Sequence, residues 1–121
     1  MYTINRESLV RTFVELAEIP SPSWREKSVM EYIIKRFSKL GAVCTRYKCG
    51  ESHNLLIRFS GAEDRSTILL SGHMDTVIPC ESVKAVVTST RITSDGTSIL
   101  GSDDKAAIAI FIEAFEFIRK N

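Results

Sequence analysis

Two short stretches of the chain carry residue types that can do chemistry. Ser71-Gly72-His73-Met74-Asp75-Thr76 sets a histidine two residues before a carboxylate, and Gly101-Ser102-Asp103-Asp104-Lys105 sets two carboxylates before a lysine. A neutral imidazole ligates a metal through one ring nitrogen provided the other holds the proton. A carboxylate that accepts this second N–H fixes the tautomer and makes the ring a better donor. Residues i and i+2 of extended chain share a side, so Asp75 is placed to do this for His73. A carboxylate at a helix start has a lowered proton affinity and can bridge two metals ~3.5–4 Å apart. Metal-assisted hydrolysis is the chemistry these types allow. Each stretch alone also has a plain account: a loop histidine near an unrelated aspartate, and an ordinary acidic helix cap that complements the helix dipole.

The surrounding elements must position these residues. Asn5 can cap a first helix with the apolar face Leu9, Phe13, Leu16 and Ala17, closed by Pro20. After the Pro20-Ser21-Pro22 turn, Ser23 and Glu26 have the S-x-x-E spacing of a capping box. The second helix then shows Val29, Ile33, Phe37 and Leu40 on one face, with Gly41 as a left-handed stop. The pattern changes to strand at Val43 to Tyr47 and at Leu55 to Phe59. Thr67 to Ser71 is apolar on both faces, as a central strand covered on both sides would be. Val83 to Thr93 alternates loosely, and Asp95-Gly96 turns the chain before Ser98-Ile99-Leu100. A last helix is predicted over Asp103 to Arg119, apolar all round from Ala106 to Ile112 and therefore buried against a sheet. His73 would sit just past the end of a buried strand, where open α/β sheets place their ligand sites. The order of elements points to an α/β sandwich.

Composition excludes several classes. A chain of 121 residues has room for one domain and one modest core. A net charge of +1 without a basic cluster argues against nucleic acid or an anionic membrane as partner. No apolar run approaches the ~18–20 residues needed to span a bilayer, and the first residues lack the regions of a signal peptide. Cys44, Cys49 and Cys80 are odd in number and unpatterned, which fits a reducing, cytoplasmic compartment. Cys44, Cys49 and His53 lack the paired spacing of a structural zinc site. There is no G-x-S-x-G elbow, no G-x-G-x-x-G and no Walker sequence. Trp24 is read as a packing residue in the first turn of the second helix, and Glu113 and Glu116 as the solvated face of the last.

Taken together and in order, the two motifs change the odds. The apolar run ending in Ser-Gly-His-Met-Asp-Thr-Val, the β-rich stretch, Ser-Asp-Gly-Thr-Ser-Ile-Leu-Gly-Ser-Asp-Asp-Lys-Ala-Ala and a buried helix closely resemble the N-terminal part of the M20 family of metallopeptidases. Within it, the resemblance is to the peptidase T-like (tripeptidase) branch, and the two leading helices and the Ile19-Pro20-Ser21-Pro22-Ser23 turn fit the same pattern. It covers essentially this whole chain but only about the first third of a family member.

The resemblance implies that residues 1–121 are the N-terminal portion of a zinc-peptidase catalytic domain. The fold implied is part of a mixed-sheet α/β/α sandwich, incomplete on its C-terminal side. His73 would ligate one zinc, Asp75 would orient His73 as a catalytic residue, and Asp103 would be the carboxylate bridging two zinc ions. Asp104 would be a helix-start residue. Ala106-Ala107 stands where the family often has glycine or small residues. The substrate implied is a short peptide cleaved at its N-terminal end. A Glu-Glu pair carrying the general base, a further acidic ligand, a distant histidine and a lid domain have no counterpart here. The isolated chain is therefore expected to be inactive, and its open sheet edge and uncovered apolar surface are expected to make it self-associate. The alternative is a non-catalytic small α/β interaction module, or a degraded reading frame retaining a relic metal motif. An unrelated α/β domain that mimics the motifs is the third possibility.

Overall fold

Asn5 starts the first helix, α1 (Arg6–Glu18), as its position predicts: its side-chain oxygen accepts the Ser8 N–H at 3.0 Å. The structure, a computed structural model, describes residues 3–120. α2 (Lys27–Lys39) follows, then the strands β1 (Val43–Cys49), β2 (Ser52–Arg58), β3 (Ala85–Val87) and β4 (Ile92–Ser94), and finally α3 (Ser102–Lys120). No helix among the described residues is long and apolar enough to cross a membrane.

The start of α2 departs from the predicted capping box. Glu26 occupies the cap position with no side-chain cap bond. Its carboxylate instead accepts the Trp24 N–H at 2.8 Å and the Ser52 hydroxyl, while Ser23 donates to Asp75. Partners brought in from β2 and from the 71–76 loop outcompete the local cap. Trp24 precedes the helix with φ +72°, and its ring covers Gly50 so closely that a Cβ there would stand 2.5 Å from it. The tryptophan packs, but on the hairpin turn rather than within the helix. At the far end Gly41 adopts φ +85°, and the Gly41 and Ala42 N–H groups return to Ser38 and Phe37, closing α2 as its glycine predicts.

β1 and β2 form an antiparallel hairpin with Val43 opposite Arg58 and Cys49 opposite Ser52, longer than the sequence pattern suggested. β3 and β4 form a second antiparallel pair, with Val87 opposite Ile92. Cys44 and Cys49 stand five positions apart on one strand and so face opposite ways, which separates them as ligands. The core lies where α1, α2 and α3 meet: Leu16, Ala17, Val29, Ile33, Ala109 and Ile112 are all buried. Phe115 stacks on Phe59 at 4.5 Å, and Phe37 meets both rings edge-on. Arg36 of α2 ties the three helices together through Thr12 at 3.2 Å and Glu116 at 2.6 Å. Glu113 and Glu116 are thus turned inward rather than forming a solvated face: Glu113 is buried and Glu116 is ion-paired.

The largest difference concerns Thr67 to Ser71. No strand is formed there, and Ile68 and Leu69 are 84% and 80% exposed. An apolar run becomes a central strand only when neighbouring strands take up its N–H and C=O groups. Among the described residues β2 pairs with β1 alone, and nothing pairs with the run. A groove of about 620 Å³ separates the two, with Leu55, Ile57, Leu69, Phe111 and Phe115 in its walls. Ser98 to Leu100 likewise forms no strand.

Ile112 is fully buried at the junction of the three helices. Ile112→Ala is expected to lower the stability of the chain by ~2–5 kcal/mol in urea unfolding. A loss below about 1 kcal/mol would mean that this face of α3 is not packed.

Candidate metal centre

The site forms where the chain leaves the extended run and meets the first turn of α3. Gly72 permits the approach, since a Cβ there would lie 2.6 Å from the Asp104 Oδ2. That oxygen accepts the His73 backbone N–H at 3.3 Å. Asp104 thus braces the backbone of the histidine from the helix start. Asp103 and Asp104 have non-helical backbone angles, so regular helix follows Asp104. This places the Asp103 carboxylate in front of the helix end, with its side chain 95% exposed.

The three residues singled out in the sequence come together. His73 Nδ1 lies 3.1 Å from Asp75 Oδ1 and 3.0 Å from the Asp75 carbonyl oxygen. His73 Nε2 lies 3.0 Å from Asp103 Oδ1. Asp75 is held from behind, because the Ser23 hydroxyl donates to its Oδ2 at 2.6 Å. The S-x-x-E spacing predicts a helix cap for this serine, and the structure gives it to Asp75 instead. Its place in a Pro-Ser-Pro-Ser turn, where prolines stiffen the backbone, was the available signal for a bracing role.

The electrostatics follow from these contacts. Partial burial pulls the His73 imidazole down, but the hydrogen bonds that the ring donates to Asp103 and then to Asp75 outweigh it and hold the ring above its ordinary pKa. The Ser23 hydroxyl and, after a smaller opposing effect of burial, the His73 ring hold the Asp75 carboxyl below the usual carboxylate range. His73 therefore contributes stability that is complete below its unfolded pKa and is lost as pH rises through the raised folded value. Asp75 contributes stability present above its unfolded pKa and lost as pH falls through the lowered one. Behind the site Lys105 is fully buried, and burial brings its amine down to about 8. Ser21 and Thr76, which are also buried, have side-chain hydroxyls without a hydrogen-bond partner among the described residues.

Zinc takes imidazole nitrogen and carboxylate oxygen at ~2.0–2.2 Å. His73 Nε2 and Asp103 Oδ1 are the right types and, at 3.0 Å apart, close enough to share one ion. With Nδ1 turned to Asp75, Nε2 is the nitrogen left to bind. The two donors fit a zinc ion in type and spacing but fall short in number, since a catalytic zinc takes three from protein. No group of three His, Cys, Asp or Glu side chains able to hold a metal occurs among the described residues.

The chain is similar in sequence and fold to known proteins. The Bacillus subtilis protein YqjE, itself uncharacterized, is 34% identical over an alignment of 125 residues covering 97% of this chain and 33% of the relative. A crystal structure of a tripeptidase from Staphylococcus aureus matches with a TM-score of 0.92 and 32% identity, over 98% of this chain and 34% of the other. One of the aminopeptidase PepT from Bacillus cereus matches with a TM-score of 0.91 and 33% identity, over 97% of this chain and 33% of the other. The chain thus spans about a third of the length of these relatives. No protein-family profile matches it. In sequence and fold the chain is thus similar to the first third of these tripeptidase and PepT aminopeptidase structures.

If Asp103 is a main support of the protonated ring, Asp103→Asn is expected to lower the His73 pKa in the metal-free chain. The upper edge of its stabilising pH window should move down with it. Nitrogen-detected NMR titration of the imidazole checks both the shift and the tautomer. An unchanged pKa would place Asp103 out of contact with the ring in solution.

Proposed function

We propose that residues 1–121 are the first portion of the catalytic domain of a zinc-dependent exopeptidase that hydrolyses short peptides from their N-terminal end. The observation that carries this is the line of contacts Ser23–Asp75–His73–Asp103, assembled on a chain that follows tripeptidase structures over nearly all of its length. His73 Nε2 and Asp103 would hold zinc. When bound, zinc supplies Lewis acidity toward the peptide carbonyl and toward water. Asp75 keeps the proton on His73 Nδ1 and fixes the ring plane. Asp103, open to solvent at the helix start, brings a negative charge within reach of a metal pair.

No residue in the matched positions takes a proton from an attacking water. The general base, the further ligands and a lid domain would therefore come from polypeptide outside these 121 residues. Two observations support that reading: the relatives are about three times as long, and the run Ile68-Leu69-Leu70 lies uncovered beside the free edge of β2. On this proposal the 121 residues alone are inactive.

The intact mass of the protein purified from its source cell, with a tripeptide hydrolysis assay on the same sample, tests the proposal. The expected result is a mass several-fold above 13.6 kDa and zinc-dependent release of the N-terminal residue. His73→Ala or Asp103→Ala should then cost more than the ~10–100-fold typical of a residue that merely supports a ligand. A native mass of 13.6 kDa with no second chain, or full hydrolysis by either variant, would overturn it.

A further inference from the structure

Lysine is almost never fully buried, because its ammonium is costly to desolvate. Lys105 nonetheless retains only 1% of its exposure. It stands two residues after Asp103, and its Nζ donates to the Ile19 carbonyl at 2.7 Å, a contact spanning 86 positions of sequence. Ile19 is the C-cap of α1, where unpaired carbonyls and the negative end of the helix dipole call for a cation. The last turn of α1 contains no basic residue of its own. Lys105 provides from α3 the positive charge that α1 lacks.

That contact fixes more than a helix end. The segment that begins at Ile19 is Pro20-Ser21-Pro22-Ser23, in which two prolines restrict the backbone. Ser21 accepts the Thr76 N–H through its carbonyl at 2.8 Å, and Ser23 donates to Asp75 at 2.6 Å. One stiff turn thus holds the His73–Asp75 loop at one end and, through Lys105, the start of α3 at the other. The loop and the helix start are close-fitted as well: at Gly101, φ +76°, a Cβ would stand 2.7 Å from Thr76 Oγ1 and 3.5 Å from the Lys105 stem. Ile99 N–H also reaches the Pro79 carbonyl at 2.7 Å.

We infer that Lys105 is a positioning residue, whose bond to the Ile19 carbonyl sets the separation between His73 and Asp103. The inference rests on the proposal that these two are the metal donors, and it adds a residue that touches neither metal nor substrate. The side chain acts as a strut of fixed length from the cap of α1 to the backbone that carries Asp103. Methionine at this position would keep the buried volume and remove the amine. Methionine spares the desolvation of a buried ammonium but leaves the Ile19 carbonyl without its donor, two effects of opposite sign, so the position of Asp103 and not stability alone separates positioning from support of the fold.

The test compares the chain with Lys105→Met by crystallography without metal, by thermal unfolding, and by calorimetric titration with zinc alone. The expected result is a folded variant of similar Tm in which Asp103 has moved away from His73, with zinc affinity reduced ~10-fold or more. An unchanged 3.0 Å contact between His73 and Asp103 in the variant, whatever its Tm, would overturn the inference. Displaced Asp103 with zinc bound by neither protein would uphold the strut and remove the metal reading instead. The native chain offers a check independent of the variant's folding. Its Lys105 ammonium protons should exchange slowly with solvent and show through-bond coupling to the Ile19 carbonyl, and rapid exchange would overturn the inference as well.

Discussion

The site depends on the seating of α3 against α1. Ile108, Ala109 and Ile112 meet Phe13, Leu16 and Ala17 in one apolar junction, with α2 closing it through Val29, Ile33 and Phe37. Each large aliphatic side chain so buried contributes about 1.5–3 kcal/mol. No hydrogen bond of the exposed site approaches that sum, because a typical intramolecular hydrogen bond nets only ~0.5–1.5 kcal/mol. The apolar junction therefore decides where the start of α3 lies, and the polar contacts adjust the carboxylates within that frame.

The polar contacts have a direction. They run from a stiff turn after α1, through Ser23 and Asp75, to the imidazole, and end on the solvent-facing carboxylate of Asp103. From Asp75 through His73 to Asp103 the side chains become steadily more exposed, at 36%, 51% and 95%, which suits a group meant to be reached from outside. A carboxylate on each side of the ring favours the imidazolium while no cation is present, and the same two carboxylates favour a metal cation in its place. The arrangement is thus electrostatically prepared for positive charge beside Nε2.

On the opposite side an apolar surface stands open to solvent. The run from Thr67 to Ser71 has strand composition, yet its N–H and C=O groups find no ladder, and Ile68 and Leu69 stand in solvent. Exposed contiguous apolar residues beside an unpaired strand edge form a surface able to take up a further strand or a partner. The floor of the adjoining groove is the aromatic side of α3, the helix whose other face builds the core.

Local signals in the sequence determined what depends on neighbours a few residues away. The Asn5 cap, the Gly41 stop, the apolar faces of the first two helices and the start of the last helix at the Asp pair were legible, because capping and helical periodicity are short-range. The last helix, read as apolar all round and buried against a sheet, packs instead on α1 with Ile110 exposed. The two-residue spacing placed Asp75 on the same side as His73 without deciding between a pair and an unrelated aspartate, and the fold brings the two into contact at 3.1 Å. What only the tertiary structure decided is where polar side chains went once several partners competed. Ser23 and Glu26 read as a cap but serve Asp75, Trp24 and Ser52. Lys105 follows an acidic pair in the sequence, and the fold buries it against the end of α1. Glu113 and Glu116 read as a wet face but turn inward, Glu116 toward Arg36. Whether 67–71 forms a strand also lay beyond the sequence, since a strand is completed by its partners and not by its own composition.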